Sequence, residues 1–535
     1  MAAQPEAARA GIEMFALGGN AVDAAVATGF AIAVVEPTMN GLGGRSQLLL
    51  RTPEGVLQTF EGMTEIPAGY VPPEQPEADG YSVIATPGVV ANLGRLHAEH
   101  GSLPWATVLA PAIRIAEDGF EVLPGEAARH ARALGAIQDN PGFRRNFLKP
   151  DGTTYQAGER LRQPALARTL RRLADAGHAD FYRGEIAAAI AADMAAHGGG
   201  VTAADLAAYE AKDGRLIHLP YRGYEIHSMV APGGGGLVAR VLAILARFDR
   251  STMGEAAWAA VTNQAIALAL EARREDPEEL DVSRLTDDAW VDASVRAIRV
   301  PSMPADLADS ASGATPAALG TVAHDWDGST WSASPHHTTH FVTADCSGTV
   351  VSITQTLGPV FGSKVVTPKL GFVYASTMGS YLSASEQTPG TRPRTTIAPT
   401  IVTRDGEVVL VLGAAGGERI LSGIVQVISR VIDEGLGLSD ALAAPRVHPF
   451  RVETDDGARV VDGLQMHAET TPGEGWPQAV LDAWTQAGFT VHPNASRGAF
   501  SRVHALARSD RGWVGGADPD WEGIALPGQG IQCAF

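Results

Sequence analysis

The chain has 535 residues, too many for one small core, and the length fits either one large layered domain or two to four ordinary ones. Hydrophobic residues make up 45% and charged residues 19%, with mean hydropathy near zero, so a packed fold is expected and wholesale disorder is excluded. Acidic residues outnumber basic ones 60 to 41, a net charge of −19, and no Lys/Arg run follows a phosphate backbone, which argues against nucleic acid as a partner.

In chain order, residues 5–35 carry apolar residues at helical spacing, and Gly18-Gly19-Asn20 marks a break between two helices. Residues 20–37 are apolar, but they include Asp23, are rich in Ala and fall short of the roughly 20 strongly apolar residues of a membrane span, so they predict a buried core helix. No basic segment followed by an apolar one opens the chain, and as it stands it reads as cytoplasmic, without a membrane partner. Further helices are expected over residues 105–118, 164–176, 184–197, 203–210 and 236–247, which makes the first half mainly helical; Pro232-Gly233-Gly234-Gly235-Gly236 reads as a flexible turn. From Glu271 to His337 the composition turns acidic and then rich in Ala, Ser, Asp, Gly and Pro, predicting an exposed linker at about 301–337. Beyond it, β-branched runs at 350–354, 365–366, 400–402 and 408–412 read as strands, followed by helices at 421–434 and 439–444. Cys346 and Cys533 are too few for a disulfide framework, although one bridge stays open, and no spacing of Cys and His suggests structural zinc.

The run His337-Thr338-Thr339-His340 stands between the linker and the first of these strands. A threonine hydroxyl is a poor nucleophile and needs a base within hydrogen-bond reach. If the bond before Thr338 is cut, the new α-amino group, with a pKa of roughly 7.7–8.0, supplies that base near neutral pH. The same hydroxyl is able to make the cut by attacking the preceding carbonyl. A plain strand-opening threonine is the simpler reading of these residues taken alone. Alternation would place His336, Thr338 and His340 on one strand face, but no matching carboxylate or Cys set accompanies them, so neither a metal nor any other cofactor is expected. Further on, Leu412-Gly413-Ala414-Ala415-Gly416-Gly417-Glu418-Arg419-Ile420 reads as a strand, a glycine-rich turn and a helix, whose exposed N–H groups suit an oxyanion. The lysine of a phosphate loop is missing from it.

Ordered motifs along nearly the whole chain resemble the γ-glutamyltransferase family of N-terminal-nucleophile hydrolases. They include Gly18-Gly19-Asn20-Ala21-Val22-Asp23, Thr86-Pro87-Gly88-Val89-Val90, Phe181-Tyr182-Arg183-Gly184, Thr338-Thr339-His340, Ala398-Pro399-Thr400-Ile401-Val402, Ala444-Pro445-Arg446-Val447-His448 and Gly516-Ala517-Asp518-Pro519. The resemblance implies an α+β fold, a four-layer αββα sandwich, built from a large subunit (1–337) and a small subunit (338–535) cut from one precursor between His337 and Thr338. It implies Thr338 as nucleophile, Thr356 as the threonine that orients it, Gly416 and Gly417 as the oxyanion hole, and Thr395 and Thr396 as substrate contacts. Because Met1 to Pro5 align inside the family's first conserved segment, an initial strand or signal peptide is expected to precede them, which leaves a periplasmic or secreted location open.

Departures cluster where the family holds a γ-glutamyl group. The family's Phe-Asp-Gly-Arg-Glu, whose arginine holds the α-carboxylate, is here Phe60-Glu61-Gly62-Met63-Thr64, and methionine makes no such ion pair. The acidic residues that hold the α-amino group are replaced by Thr377 and Ser380. Arginines stand at unusual places, Arg45 and Arg394, and one of them is expected to bind an acid group placed differently in another substrate. The sequence therefore points to an autoprocessing N-terminal-threonine amidohydrolase or acyltransferase acting through an acyl-enzyme on a non-γ-glutamyl amide or related small molecule. Two alternatives remain: a glutathione hydrolase with substitute contacts, and an unprocessed, inactive binding homologue.

Overall fold

The computed structural model describes residues 1–535 apart from 277–278, 280, 305–335, 384–385, 454–458, 472–473, 511 and 528–535. In chain order the strands are β1 (Arg45–Arg51), β2 (Leu57–Gly62), β3 (Phe120–Glu121), β4 (Arg160–Leu161), β5 (Leu216–Tyr221), β6 (Tyr224–Met229), β7 (His336–Ala344), β8 (Val350–Pro359), β9 (Thr400–Arg404), β10 (Glu407–Ala415), β11 (Val447–Glu453), β12 (Arg459–Glu469), β13 (Thr490–Asn494), β14 (Arg502–Ser509) and β15 (Gly512–Ala517). They form a four-stranded sheet in the order β2-β1-β8-β7, a six-stranded sheet β15-β14-β10-β9-β6-β5, a three-stranded sheet β11-β12-β13 and the pair β3-β4.

The four-stranded sheet is apolar on both faces, and this dictates the layering. Side chains alternate along a strand, so Leu48 and Leu50 of β1 join Phe341, Val351 and Ile353 in one core, while Leu49 joins Val342 and Val350 in another. The first face is covered by the helix Ala21–Val35, every residue of which is buried, supported by the helices Val89–His100, Trp105–Asp118 and Pro164–Ala176. That central helix starts at a capping box in which Asn20 and Asp23 satisfy each other's backbone N–H groups, and its apolar circumference needs neighbours on all sides. The second face meets Ile401, Val411 and Leu506 of the six-stranded sheet. The outer face of that sheet, with Val402, Leu410, Leu412 and Ala414, is covered by the helices Gly235–Leu245, Glu255–Glu275 and Arg419–Ile432. The result is helix, sheet, sheet, helix, the expected four-layer sandwich.

Strands from before and after Thr338 share both large sheets, as two blocks that meet at one seam in each. In one sheet β1 pairs with β8, and in the other β6 pairs with β9. Several expectations need correction. Val365 and Val366 form no strand: an isolated bridge joins Val366 to Val373. The turn at 232–236 is packed rather than loose, since Gly233 and Gly234 are buried and Gly235 already opens a helix. The acidic stretch after Glu271 contains a helix, Asp288–Ala297. Residues 305–335 of the expected linker lie outside the described residues. Cys346 is disulfide-bonded, so its thiol is not free.

Candidate active site

Strand β7 pairs antiparallel with β8, matching His337 to Gly358, and then the register shifts between His337 and Thr339. Such a bulge re-aims one side chain, and the residue in it is Thr338. Thr338 is 4% exposed and lines a cavity of about 900 Å³. Thr338 Oγ1 donates to Thr356 Oγ1 at 3.1 Å, and Thr356 Oγ1 also accepts the Gly358 backbone N–H at 2.9 Å. Two residues along β7, on the same face, His340 is fully buried and its Nδ1 lies 2.8 Å from Thr354 Oγ1. Burial holds the His340 pKa well below its ordinary value, so the imidazole is neutral. Among the described residues no group of three His, Cys, Asp or Glu side chains is placed to hold a metal ion; the His336 side chain lies outside them.

Gly416 and Gly417 line the same cavity where β10 gives way to the helix Arg419–Ile432. Their φ values of +135° and +62° are those of a turn that suits glycine, and their carbonyls accept from Arg419 N and Ile420 N in the first helical turn. The start of a helix concentrates N–H groups that favour negative charge. Thr396 ties this turn to the neighbouring wall, its hydroxyl donating to Gly417 O at 2.7 Å. Thr395 and Thr396 are themselves fixed from behind: Thr395 N donates to Pro232 O at 2.7 Å and Gly234 N to Ile397 O at 2.8 Å. With its amide turned to suit both neighbours, Gln47 donates to Ile397 O and accepts from Gly233 N.

Charge in the cavity is mostly arginine, and most of it is already partnered. Arg394 pairs with Glu386 at 3.1 Å. Arg273 donates to Thr395 O and Gly233 O, Arg451 pairs with Glu418, and Arg274 with Glu271. Arg419 donates to Ala499 O. Arg45 differs: it is 3% exposed, its Nε and Nη1 have no hydrogen-bond partner, and no carboxylate among the described residues pairs with it. Its guanidinium carbon lies 6.0 Å from the centre of the Tyr381 ring.

A family model described as gamma-glutamyltranspeptidase matches residues 7–528. The chain belongs to that family. It is 30% identical over 476 residues to a glutathione hydrolase proenzyme of Escherichia coli K12, covering 83% of this chain and 79% of that one. An acylase ACY 1 proenzyme of a Pseudomonas species, strain SE83, is 33% identical over 480 residues, covering 83% of this chain and 81% of that one. Among solved structures, the cephalosporin acylase from Bacillus halodurans superposes with a TM-score of 0.82 at 28% identity, covering 97% of this chain and 94% of that one.

Within this gamma-glutamyltranspeptidase-family chain, the structure brings together Thr338, Thr356, Gly416, Gly417, Thr395, Thr396, Arg45 and Arg394 around one cavity. It does not bring Met63, Thr377 or Ser380 to that wall. Met63 packs in the apolar core beneath the six-stranded sheet, and its carbonyl accepts from the Tyr209 hydroxyl. Thr377 is fully buried with its backbone N–H on Val83 O, and Ser380 is exposed. None of the three lines the cavity that Thr338 faces. One further wall had no sequence reading as a site. β11, β12 and β13 contribute His448, Phe450, His467 and Asn494, and burial lowers the pKa of His448 well below normal and that of His467 to about 4. The motif Ala444-Pro445-Arg446-Val447-His448 was the available signal for the first of these.

Proposed function

We propose that the chain is a precursor that cuts itself between His337 and Thr338, releasing residues 1–337 and 338–535 as paired subunits of an N-terminal-threonine amidohydrolase. The observation that carries the reading is the Thr338 hydroxyl, placed by a strand bulge at a cavity wall and hydrogen-bonded to Thr356. In the precursor, Thr338 Oγ attacks the His337 carbonyl carbon, the peptide C–N bond breaks and its nitrogen takes the proton, leaving an ester that water hydrolyses. The freed α-amino group, unprotonated in useful fraction near neutral pH, then takes the hydroxyl proton as Oγ attacks a substrate amide. The proton passes to the leaving nitrogen, and water hydrolyses the acyl-enzyme. Thr356 positions the nucleophile, and the Gly416–Gly417 turn receives the oxyanion. The acyl group is not γ-glutamyl: Met63 offers no charge for an α-carboxylate, and Glu61 is engaged by Arg392 at 2.9 Å. The relatives named acylase are in keeping with this.

Denaturing electrophoresis and intact mass spectrometry test it. The wild type is expected to give two fragments and, with a panel of amides, an acyl adduct on the fragment beginning at Thr338. Thr338→Ala is expected to give one uncut chain without adduct; cleavage or acylation surviving in Thr338→Ala would remove the proposed nucleophile. The reading as a glutathione hydrolase rests on the 30% identity to the Escherichia coli proenzyme. Rapid glutamate release from γ-glutamyl-p-nitroanilide would establish it in place of the acyl specificity proposed here.

A further inference from the structure

Two histidines that do not line the Thr338 cavity face each other at the edge of the six-stranded sheet. The register of β5 and β6 sets His218 directly opposite His227, nine residues further on, a spacing that matches no metal motif. Their Nδ1 atoms lie 3.2 Å apart. The other nitrogen of each ring is taken: His218 Nε2 is 2.6 Å from Glu225 Oε2, and His227 Nε2 is 3.0 Å from Thr403 Oγ1. Two acceptor atoms do not rest 2.6 Å apart, so His218 carries its proton on Nε2 and presents a bare lone pair at Nδ1. The buried Glu225 oxygen has no hydrogen-bond donor elsewhere. The Thr403 hydroxyl both donates and accepts, so His227 is free to hold its proton on either nitrogen, and with Thr403 accepting, its Nδ1 is bare as well.

The placing of the rings fits a cation between the two nitrogens better than a shared proton. A straight N–H···N bond of this length puts the ring centres about 5.5 Å apart. An ion about 2.1 Å from each Nδ1, on both lone-pair axes, puts them about 5 Å apart and subtends about 100°. The observed separation is 4.9 Å. Burial, with His218 and Arg51 adding to it, lowers the His227 pKa to about 4, so that ring is a neutral ligand near neutral pH. Arg51 is itself held by the Gly348 and Gly406 carbonyls. We propose that His218 and His227 chelate one divalent late first-row transition ion, zinc, nickel or copper, through their two Nδ1 atoms, with water in the remaining positions. Imidazole nitrogen suits these ions, and a carboxylate on the far nitrogen of a ligating histidine is the usual outer partner that orients the ring. His218 is exposed and opens the site to solvent, while His227 is buried. Two protein ligands make an exchangeable site, unlike the closed four-ligand sites that hold a fold together. The ion ties the edge strand β5 to β6, and His227 carries the tie to Thr403 on β9, past Thr338 in the chain.

Calorimetric titration of the full chain, first stripped with a chelator, against Zn²⁺ alone tests the site, and electron paramagnetic resonance with Cu²⁺ counts the ligating nitrogens. The wild type is expected to bind Zn²⁺ in its tightest site and to show hyperfine splitting from two imidazole nitrogens with Cu²⁺. His218→Ala, at an exposed position, is expected to weaken that binding by about tenfold or more and to lose one nitrogen from the spectrum. Glu225→Gln keeps both rings and should cost about ten- to hundredfold in affinity. His197→Ala is the control, since His197 Nδ1 already lies 2.9 Å from Asp193 O, and it should bind as the wild type does. Zn²⁺ should raise the Tm of the wild type and leave that of His218→Ala unmoved. Thr338→Ala should take the ion like the wild type, which keeps this test apart from that of the nucleophile. Equal affinity in His218→Ala, or a single nitrogen in the wild-type spectrum, would overturn the site and leave the pair as a plain N–H···N bond. Failure of the wild type to take up Zn²⁺ would do the same.

Discussion

Thr356 does its work through one oxygen that receives two donors, the Thr338 hydroxyl at 3.1 Å and the Gly358 N–H at 2.9 Å. Replacing it by valine keeps the volume and leaves both donors without an acceptor in a buried place, where an unsatisfied group costs about 1–3 kcal/mol. Thr356→Val is expected to lower kcat by roughly five- to hundredfold with KM nearly unchanged, because in the proposed mechanism Thr356 acts on the nucleophile and not on the substrate. Thr356→Ser should restore most of the rate. Steady-state kinetics on the best amide substrate decides it, and an unchanged kcat in Thr356→Val would assign the hydrogen bond to folding alone.

At the scale of elements, the site depends on a turn that looks unremarkable as sequence. Gly234 N holds Ile397 O, and a Cβ on Gly234 would stand 2.4 Å from Thr396 O. Backbone has no room to yield that distance cheaply, so Gly234→Ala is expected to displace the Thr395–Thr396 wall and cost about 1–3 kcal/mol. The readouts are a lowered Tm and a larger loss of kcat/KM than stability alone explains; a variant with wild-type Tm would mean the two segments move apart freely. Such couplings mark the limit of what the sequence makes legible. Helical spacing placed Trp105–Asp118 and Pro164–Ala176 at their observed ends, because each packs one stripe and has Gly beyond its last residue. β1 went unread since all seven residues are buried, and a strand covered on both faces loses the polar alternation that betrays it. Thr338 was legible through family motifs and the β-rich block that follows. The lack of a direct ion pair at Arg45 was not, because it depends on which acid reaches which arginine: Glu386, close in sequence to Arg394, pairs with that residue and acts on Arg45 only from further off.

Across the whole molecule, the parts of the chain before and after Thr338 are joined by a buried ionic cluster as well as by the shared sheets. Glu36, at the end of the central helix, lies among Arg129, Glu126 and Arg502, with the Thr339 hydroxyl facing it, yet neither of its carboxylate oxygens receives a hydrogen bond. Burial pushes its pKa up to about 7, Arg129 opposing and Glu126 adding to the rise. Glu126, held by Arg129 and His130, has its own pKa drawn down to about 2. The two carboxyls act on stability in opposite windows. Between about 4.5 and 7 the folded chain binds more protons at Glu36 than the unfolded chain does, so the Glu36 contribution is complete below that window and is lost as pH rises through it. Glu126 contributes above about 4.5 and loses its contribution as pH falls towards 2. Replacing Glu36 by glutamine removes the proton that the wild type must shed and keeps the shape. Glu36→Gln is therefore expected to melt above the wild type at pH 8, by a margin of up to about 3 kcal/mol, and to match it near pH 5. Thermal melts at the two pH values decide the matter: a lower Tm for Glu36→Gln at pH 8 would mean that ionised Glu36 is stabilised by Arg129 and Arg502, making this cluster a clamp between the two parts of the chain rather than a cost carried by it.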